Sequence, residues 1–82
     1  MTALTPTIAT EIGPNLATKM YIYQFTKVTA SDYLTCTAEF ANAIDGRYVF
    51  VNGALESNTE ASRVITLTSG TVGAGWAIVI GR

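Results

Sequence analysis

Hydrophobic and polar residues alternate with a period of two along several stretches of the chain, which is the pattern of β-strands. The clearest stretch covers residues 20–28, Met-Tyr-Ile-Tyr-Gln-Phe-Thr-Lys-Val. As a strand it would carry Met20 and Ile22 on one face and aromatic rings on the other, so neither face is predicted to be simply exposed. The aromatic face would consist of Tyr21, Tyr23 and Phe25.

Four further strands are predicted by the same reasoning, over residues 33–37, 44–51, 63–68 and 76–80. The last is apolar almost throughout, which favours a central position or burial on both faces. Residues 38–43 are the only stretch that could form a helical turn, although an irregular connection fits equally well. The sequence therefore predicts an all-β fold, a small antiparallel β-sandwich or barrel of five to six strands. Its predicted core includes Ile22, Ile65, Leu67, Trp76 and Ile78.

Short polar and glycine-rich segments separate these strands. Ala30–Asp32 and Asn52-Gly53 are predicted turns, because short polar side chains bond to nearby backbone groups and Asn and Gly accept a positive φ. Asp45-Gly46 indicates a turn or bulge near the start of the third strand. Residues 56–62 are predicted to form a polar loop, and residues 69–75, which hold three glycines, a flexible hairpin connection.

Residues 1–18 differ from the rest, since they hold both prolines and show no reliable strand or helix period. We interpret them as an extended N-terminal arm, with a turn at Pro14-Asn15, that leads into a single β domain over residues 19–82. A frayed terminus is the alternative. The aliphatic side chains at intervals of four would also permit a short helix, but the prolines and threonines argue against one. These side chains are Leu4, Ile8, Ile12 and Leu16.

The composition indicates a chain that associates with other proteins. Only 13% of its 82 residues are charged, and 49% are hydrophobic. A domain of this size has a thin core and usually needs a disulfide, a metal or an oligomer to support it. The single cysteine, Cys36, excludes an internal disulfide, so a homo-oligomer is expected. A monomer with a threonine-rich, weakly charged surface is the alternative.

The net charge of the chain, its apolar runs and its N-terminal sequence restrict the classes of partner further. The net charge is −1 and the five basic residues are spread along the chain, whereas proteins that hold nucleic acid show a basic patch. No apolar run approaches the ~20 residues of a transmembrane helix, so no membrane association is predicted. The N-terminus lacks the basic start and hydrophobic stretch of a signal peptide, so we expect synthesis in a cytoplasm without export by the usual route.

No catalytic, cofactor or metal site is predicted. Histidine, the commonest general base, is absent, and one cysteine with six scattered carboxylates makes no zinc or iron site. Cys36 lies mid-strand and is interpreted as a buried, inert thiol. The segment Gly70–Gly75 resembles a phosphate-binding loop but lacks its Lys and Ser or Thr and precedes a strand. We therefore expect no enzymatic activity, no cofactor and no small-molecule substrate.

The aromatic residues leave a second interpretation open. Tyr21, Tyr23, Tyr33 and Tyr48, together with Phe25 and Phe50, could stack on the bases of a single-stranded nucleic acid. Such platforms are accompanied by basic grooves, and the sequence has none. Core packing and subunit contacts explain the rings better.

The layout as a whole resembles a class of small virion proteins. The chain opens with Met-Thr-Ala-Leu-Thr-Pro-Thr and has a middle strand, Ile-Asp-Gly-Arg-Tyr-Val-Phe-Val, over residues 44–51. Residues 63–70, Arg-Val-Ile-Thr-Leu-Thr-Ser-Gly, precede a glycine-rich loop, and residues 76–82 form a hydrophobic strand that ends in Gly-Arg. This resembles the small β-rich head decoration, or cement, proteins of tailed bacteriophages and related archaeal viruses.

The resemblance implies a viral structural protein that binds the outer surface of the capsid lattice. Its partners would be the major capsid protein or other virion proteins, and its location the virion, assembled in the host cytoplasm. Another small virion component (tail, fibre or head–tail) is the alternative, followed by a single-stranded nucleic-acid-binding β-barrel. The resemblance has no invariant motif, so it transfers no functional residues. Our candidates for partner contact are Leu4, Ile8 and Ile12 of the arm and Tyr21, Tyr23 and Phe25.

Overall fold

The computed structural model describes residues 3–12 and 18–82, with the backbone alone for Ala9. These residues form two antiparallel sheets that pack face to face, which confirms the predicted all-β sandwich. The described part has eight strands where five to six were predicted. They are β1 (Thr7–Ile12), β2 (Lys19–Lys27), β3 (Tyr33–Thr35), β4 (Ile44–Val51), β5 (Ala54–Leu55), β6 (Asn58–Ala61), β7 (Val64–Leu67) and β8 (Gly73–Gly81).

The larger sheet has five strands in the order β1-β2-β8-β4-β5. Its central strand is β8, which pairs with β2 from Gly73 to Gly81 and with β4 on its other side. This confirms the central position that the apolar run at residues 76–80 predicted. The smaller sheet has the order β3-β7-β6 and covers one face of the larger sheet.

The core lies between the two sheets and contains the aromatic face of β2. Ile65 and Leu67 are fully buried there, as predicted, whereas Ile22, Trp76 and Ile78 lie on the opposite face of the larger sheet and the prediction for them was wrong. Both faces of β2 are apolar, so the alternation alone could not say which of them turns inward. The buried hydrophobic residues are Tyr21, Tyr23, Phe25, Leu34, Cys36, Phe40, Val49, Val51, Ile65, Leu67, Ala77 and Val79.

Gly75 lets the ring of Phe25 approach the backbone of β8 closely. A Cβ at this position would lie 2.6 Å from Phe25 Cε2 and 2.7 Å from the Phe50 carbonyl oxygen. Real Cβ atoms do not approach so closely, so any side chain at residue 75 would displace the ring or the neighbouring strand. The absence of a side chain therefore helps to set which face of β2 is inward.

Two predicted turns are confirmed and a third was missed. Asn52 and Gly53 have φ values of 54° and 81° and join β4 to β5, as their residue types predicted. The turn at residues 30–32 is also present, since Asp32 accepts hydrogen bonds from the backbone N–H groups of Val28 and Thr29 at 2.8 and 2.9 Å. Ser62 and Arg63, with φ values of 53° and 65°, make a similar turn between β6 and β7.

Two predictions about loops were wrong. Residues 56–62 were expected to be a polar loop, but Asn58–Ala61 form β6, an edge strand that is polar except for Ala61. Residues 69–75 were expected to connect a hairpin, but β7 and β8 belong to different sheets, so this segment crosses the sandwich and β8 begins at Gly73. Residues 37–39 form a turn, closed by a hydrogen bond from Phe40 N to Cys36 O of 3.0 Å.

Part of the predicted arm is a strand of the larger sheet. Thr7–Ile12 form β1, which pairs antiparallel with β2 and has an irregularity between Ile8 and Thr10. Before β1, Ala3 forms a bridge to Tyr33, and Leu4 N donates to the Tyr33 carbonyl at 2.9 Å. The N-terminal segment therefore contacts both sheets. The predicted turn at Pro14-Asn15, and Leu16, lie outside the described residues.

Candidate interaction surface

The face of the larger sheet that points away from the smaller sheet is apolar over most of its width. Side chains directly opposite each other on paired strands lie on the same face. The register therefore places Ile22, Ile78 and Tyr48 in one row across β2, β8 and β4. We call this surface the outer face; its members are Thr7, Thr10, Ile12, Met20, Ile22, Gln24, Thr26, Gly46, Tyr48, Phe50, Leu55, Ala74, Trp76, Ile78 and Ile80.

Several large side chains of the outer face are open to solvent. Tyr48 is 58% exposed, Leu55 71%, Ile12 51% and Trp76 41%. Between them lie the half-buried Met20, Ile22, Phe50, Ile78 and Ile80. Single exposed apolar residues are ordinary, whereas a contiguous set of this size indicates a contact surface.

The aromatic part of the outer face is pre-organised. The rings of Phe50 and Trp76 stack with centroids 4.5 Å apart and planes 23° apart. They occupy directly opposed positions on β4 and β8, where such cross-strand pairs stabilise a sheet. A rigid pair of rings loses little conformational entropy when a partner covers it.

The outer face carries no formal charge among its described residues. Every Asp, Glu, Lys and Arg of the larger sheet that the structure describes lies on the inward side or at a strand end. Lys27, for instance, is 1% exposed on the inward side of β2, and Arg47 Nε donates to Asn58 Oδ1. Lys19 Nζ donates to the Glu39 carbonyl at 3.4 Å.

The two remaining basic residues bond to the ends of the sandwich. Arg63 Nη1 donates to the carbonyl oxygens of Phe40 and Ala41, at 2.8 and 2.9 Å. Arg82 forms an exposed ion pair with Asp45, Nε to Oδ2, at 3.2 Å. None of the five described basic residues therefore stands beside the exposed rings of the outer face.

Lys27 and Glu56 form a buried network that holds the segment between β7 and β8. Lys27 Nζ lies 3.5 Å from Glu56 Oε2 and also donates to the carbonyl oxygens of Ser69 and Thr71. Glu56 accepts from Ser69 N at 3.0 Å and from Ser69 Oγ at 2.6 Å. Each charge is compensated and hydrogen-bonded within the chain, so this network is structural and offers no group to a substrate.

Cys36 is buried, as predicted, and interacts with Tyr23 and Glu39. Burial raises the pKa of the Cys36 thiol from 9.0 to about 11, and it also raises the pKa of Tyr23, whose hydroxyl donates to Glu39 Oε1 at 2.9 Å. A thiol with a raised pKa is a poor nucleophile at neutral pH. The cluster therefore fits core packing.

An open groove lies where the N-terminal segment crosses the end of β2. Its volume is about 490 Å³, and both polar and apolar side chains line it. Its lining holds no charged side chain and no cysteine, so its threonine hydroxyls have no charged general base beside them in the groove. Its lining consists of Ala3, Leu4, Thr5, Thr7, Gln24, Phe25, Thr26 and Val28.

The structure separates the six predicted contact residues. The rings of Tyr21, Tyr23 and Phe25 are at most 7% exposed and belong to the core, so they are not part of the exposed surface. Leu4 packs against the core, Ile8 is 42% exposed on the opposite side of β1 from the outer face, and Ile12 lies on the outer face itself.

Three exposed outer-face residues, Tyr48, Leu55 and Trp76, were not among the predicted contacts. The signal that could have identified them is the apolar character of both faces of residues 20–28 and 76–80. The smaller sheet has three short strands and covers one face only, so the other apolar face must lie open.

The described residues hold no group of three or more His, Cys, Asp or Glu side chains arranged to bind a metal ion. Within the same part of the chain, no helix has the length and hydropathy needed to cross a bilayer.

No protein-family model, curated protein or solved structure matches this chain.

Proposed function

We propose that this chain is a non-enzymatic structural protein that works through protein–protein contacts of its outer face. In its most specific form, the protein is a capsid decoration or cement protein that binds the outer surface of a viral head lattice. Its partners are the major capsid protein or other virion proteins, and it acts in the virion. The observation that carries the proposal is the apolar, charge-free outer face.

The physics of that face favours a macromolecular partner. A flat sheet face gives no enclosure to a small molecule, whereas it can pack against another sheet or surface at about 10 Å spacing. Burial of its apolar side chains stabilises a complex by roughly 25 cal/mol per Å² of apolar surface removed from water. Repeated copies on a lattice add their contacts, so each single contact need not be strong.

The virion part of the proposal is supported by the resemblance of the sequence to small head decoration proteins. It is also supported by the sparse charge of the chain, because 13% charged residues is low for a protein that stays alone in solution. Another small virion component, from the tail, a fibre or the head–tail connection, would use the same outer face.

A single-stranded nucleic-acid-binding barrel is the second candidate, and the arrangement of charge weighs against it. Tyr48, Phe50 and Trp76 could stack on bases. Lys27 is buried, however, and the other described basic residues form hydrogen bonds or ion pairs within the chain. A stacking platform without a basic groove would bind single strands weakly and with little dependence on salt.

The proposal is tested with viral heads that lack this chain, taken from the virus that encodes it. The purified chain is added to these heads, and the heads are then sedimented. We expect the chain to pellet with them at a fixed ratio to capsid subunits. Tyr48→Lys and Leu55→Lys should reduce the bound fraction at least tenfold, because a lysine in an apolar contact is desolvated without a partner. Thr59→Lys, on the exposed side of β6, is the matched control and should bind normally.

Absence of the wild-type chain from the pellet, or equal binding by all four proteins, would contradict the proposal. A filter-binding assay with single-stranded DNA and RNA at low salt covers the second candidate. Retention of nucleic acid there, lost in Tyr48→Lys and Trp76→Ala, would favour the nucleic-acid function instead.

A further inference from the structure

We infer that the outer face packs against the outer face of a second copy of this chain, in a symmetric dimer whose two-fold axis runs along β8. The inference rests on the proposed function, because it uses the same face: the second copy covers the outer face while the chain is free, and the capsid surface takes its place on the head. In such a dimer the two larger sheets would form the inner layers of a four-layer sandwich.

The charge pattern favours a second copy over a charged partner. Two identical faces bring identical charges together, so a face that meets itself must carry few charges or carry them in matched pairs. The outer face carries none among its described residues, although the chain as a whole has eleven charged side chains, five basic and six acidic. A charged partner would lose its hydration on this face without gaining a counter-ion.

The exposed area is of the size that a stable dimer needs. The four most exposed side chains and the half-buried ones between them present on the order of 500–700 Å² of apolar surface, against about 800 Å² per partner in a standard interface. The rim adds Thr7, Thr10, Gln24 and Thr26, which are neutral and can form hydrogen bonds. The outer face alone is therefore large enough for a dimer interface, and no second patch is required.

The layout of the face makes it complementary to itself. Aliphatic side chains occupy β1 and β2, where Ile12, Met20 and Ile22 lie, and larger planar ones occupy β4. A two-fold axis along the central strand places β2 of one copy over β4 of the other. Tyr48 then lies over Ile22 of the second copy, because both occupy the row of Ile78. The strands of the two sheets stay nearly aligned, which is the commonest packing of two sheets.

The test is the self-association of the full chain alone, measured by sedimentation velocity and equilibrium from about 1 to 500 μM. We expect conversion from the 8.7 kDa monomer to a species of twice that mass within this range. Tyr48→Lys and Leu55→Lys should each raise the dimer dissociation constant at least tenfold, since each places two lysines per dimer in an apolar contact. Thr59→Lys and Tyr48→Phe should leave the constant within about twofold.

Urea unfolding of each variant at a concentration where it is monomeric shows whether the fold is intact. A wild-type chain that stays monomeric up to about 500 μM would overturn the inference, as would a dimer that all four substitutions leave unchanged. Head binding without dimer formation would overturn this inference and leave the proposed function standing. Dimer formation without head binding would contradict the proposed function and leave this inference standing.

Discussion

At the scale of single residues, the buried ion pair of Lys27 and Glu56 constrains the path of the chain between β7 and β8. Both side chains are almost fully buried, and their hydrogen bonds reach Ser69 and Thr71 in the segment that crosses between the sheets. Such a pair adds little net stability compared with a well-packed apolar pair, but loss of one member leaves a charge in the core. It therefore specifies where the crossing segment lies.

We predict that Lys27→Met lowers the free energy of unfolding by about 3–5 kcal/mol, because Glu56 stays buried without its cation. The double variant Lys27→Met, Glu56→Leu should recover most of that loss. Arg82→Ala, which breaks the exposed pair with Asp45, should cost less than about 1 kcal/mol and is the control. Urea denaturation of the four proteins checks this, and equal losses in the two single variants would contradict it.

A second prediction at this scale concerns alkaline pH. Burial raises the pKa of the Cys36 thiol from 9.0 to about 11, and the pKa of Tyr23 also rises, so the folded state keeps protons that the unfolded chain releases. The stabilisation is complete below the unfolded pKa and is lost as the pH approaches the folded one. The free energy of unfolding should therefore fall by roughly 2–3 kcal/mol for Cys36 between about pH 9 and pH 11.

The measurement is urea unfolding at several pH values, with Cys36→Ala as the control. The variant should lose less stability than the wild type over this interval, since Tyr23 alone then contributes. The native thiol should also react with a disulfide reagent only at the rate of unfolding. A fast reaction at pH 8, or identical pH profiles for the two proteins, would show that Cys36 is not held as described.

At the scale of elements, the alternating pattern predicted five strands that the structure has, and missed β1, β5 and β6. The missed strands are short or polar. They gain order from pairing with a neighbour, which a local pattern does not reveal. The turn at Ser62-Arg63 was missed for a related reason, because neither residue favours a positive φ as Asn52 and Gly53 do.

The inward face of β2 could not be predicted from the strand itself. Tyr21, Tyr23 and Phe25 alternate with Met20 and Ile22, and either set is apolar enough to form a core. The choice depends on tertiary contacts, such as the space above Gly75 that receives the ring of Phe25. The predicted aromatic contacts are therefore buried on the inward face of a correctly predicted strand, whereas the predicted contact Ile12 lies on the outer face.

Our prediction for β1 is that it is separable from the rest of the sandwich. It pairs with β2 alone, and its side chains Ile8 and Ile12 are largely exposed. A chain that starts at residue 18 should fold, with a lower free energy of unfolding because the contact of Leu4 and the pairing of β1 are lost. It should also aggregate more readily, because the long edge of β2 is then open.

A synthetic peptide of residues 1–12, added in excess, should bind this shortened chain and suppress the aggregation, since it can pair with β2 again. The same peptide with Thr7 and Thr10 both replaced by proline is the control, because proline cannot donate to the ladder. Thermal unfolding and light scattering measure both effects. A shortened chain that is unfolded, or that ignores the peptide, would contradict the separability of β1.

At the scale of the whole molecule, the chain is a sandwich with a core on one side of its larger sheet and an uncovered apolar face on the other. An 82-residue domain buries a limited fraction of its surface, so a second apolar layer is a means of adding stability through association. The low charge of the chain fits this arrangement, because few charges have to be kept away from the contact.

The central claim is that the outer face is covered by protein when the molecule works, and Trp76 reports on it directly. It is the only tryptophan of the chain, lies near the middle of that face and is 41% exposed in the single chain. The measurement is acrylamide quenching of its fluorescence, in the dilute chain, in the concentrated chain and on the heads. We predict that the quenching constant falls several-fold, with a blue shift of the emission, once the face is covered. An unchanged quenching constant in the assembled state would contradict the claim.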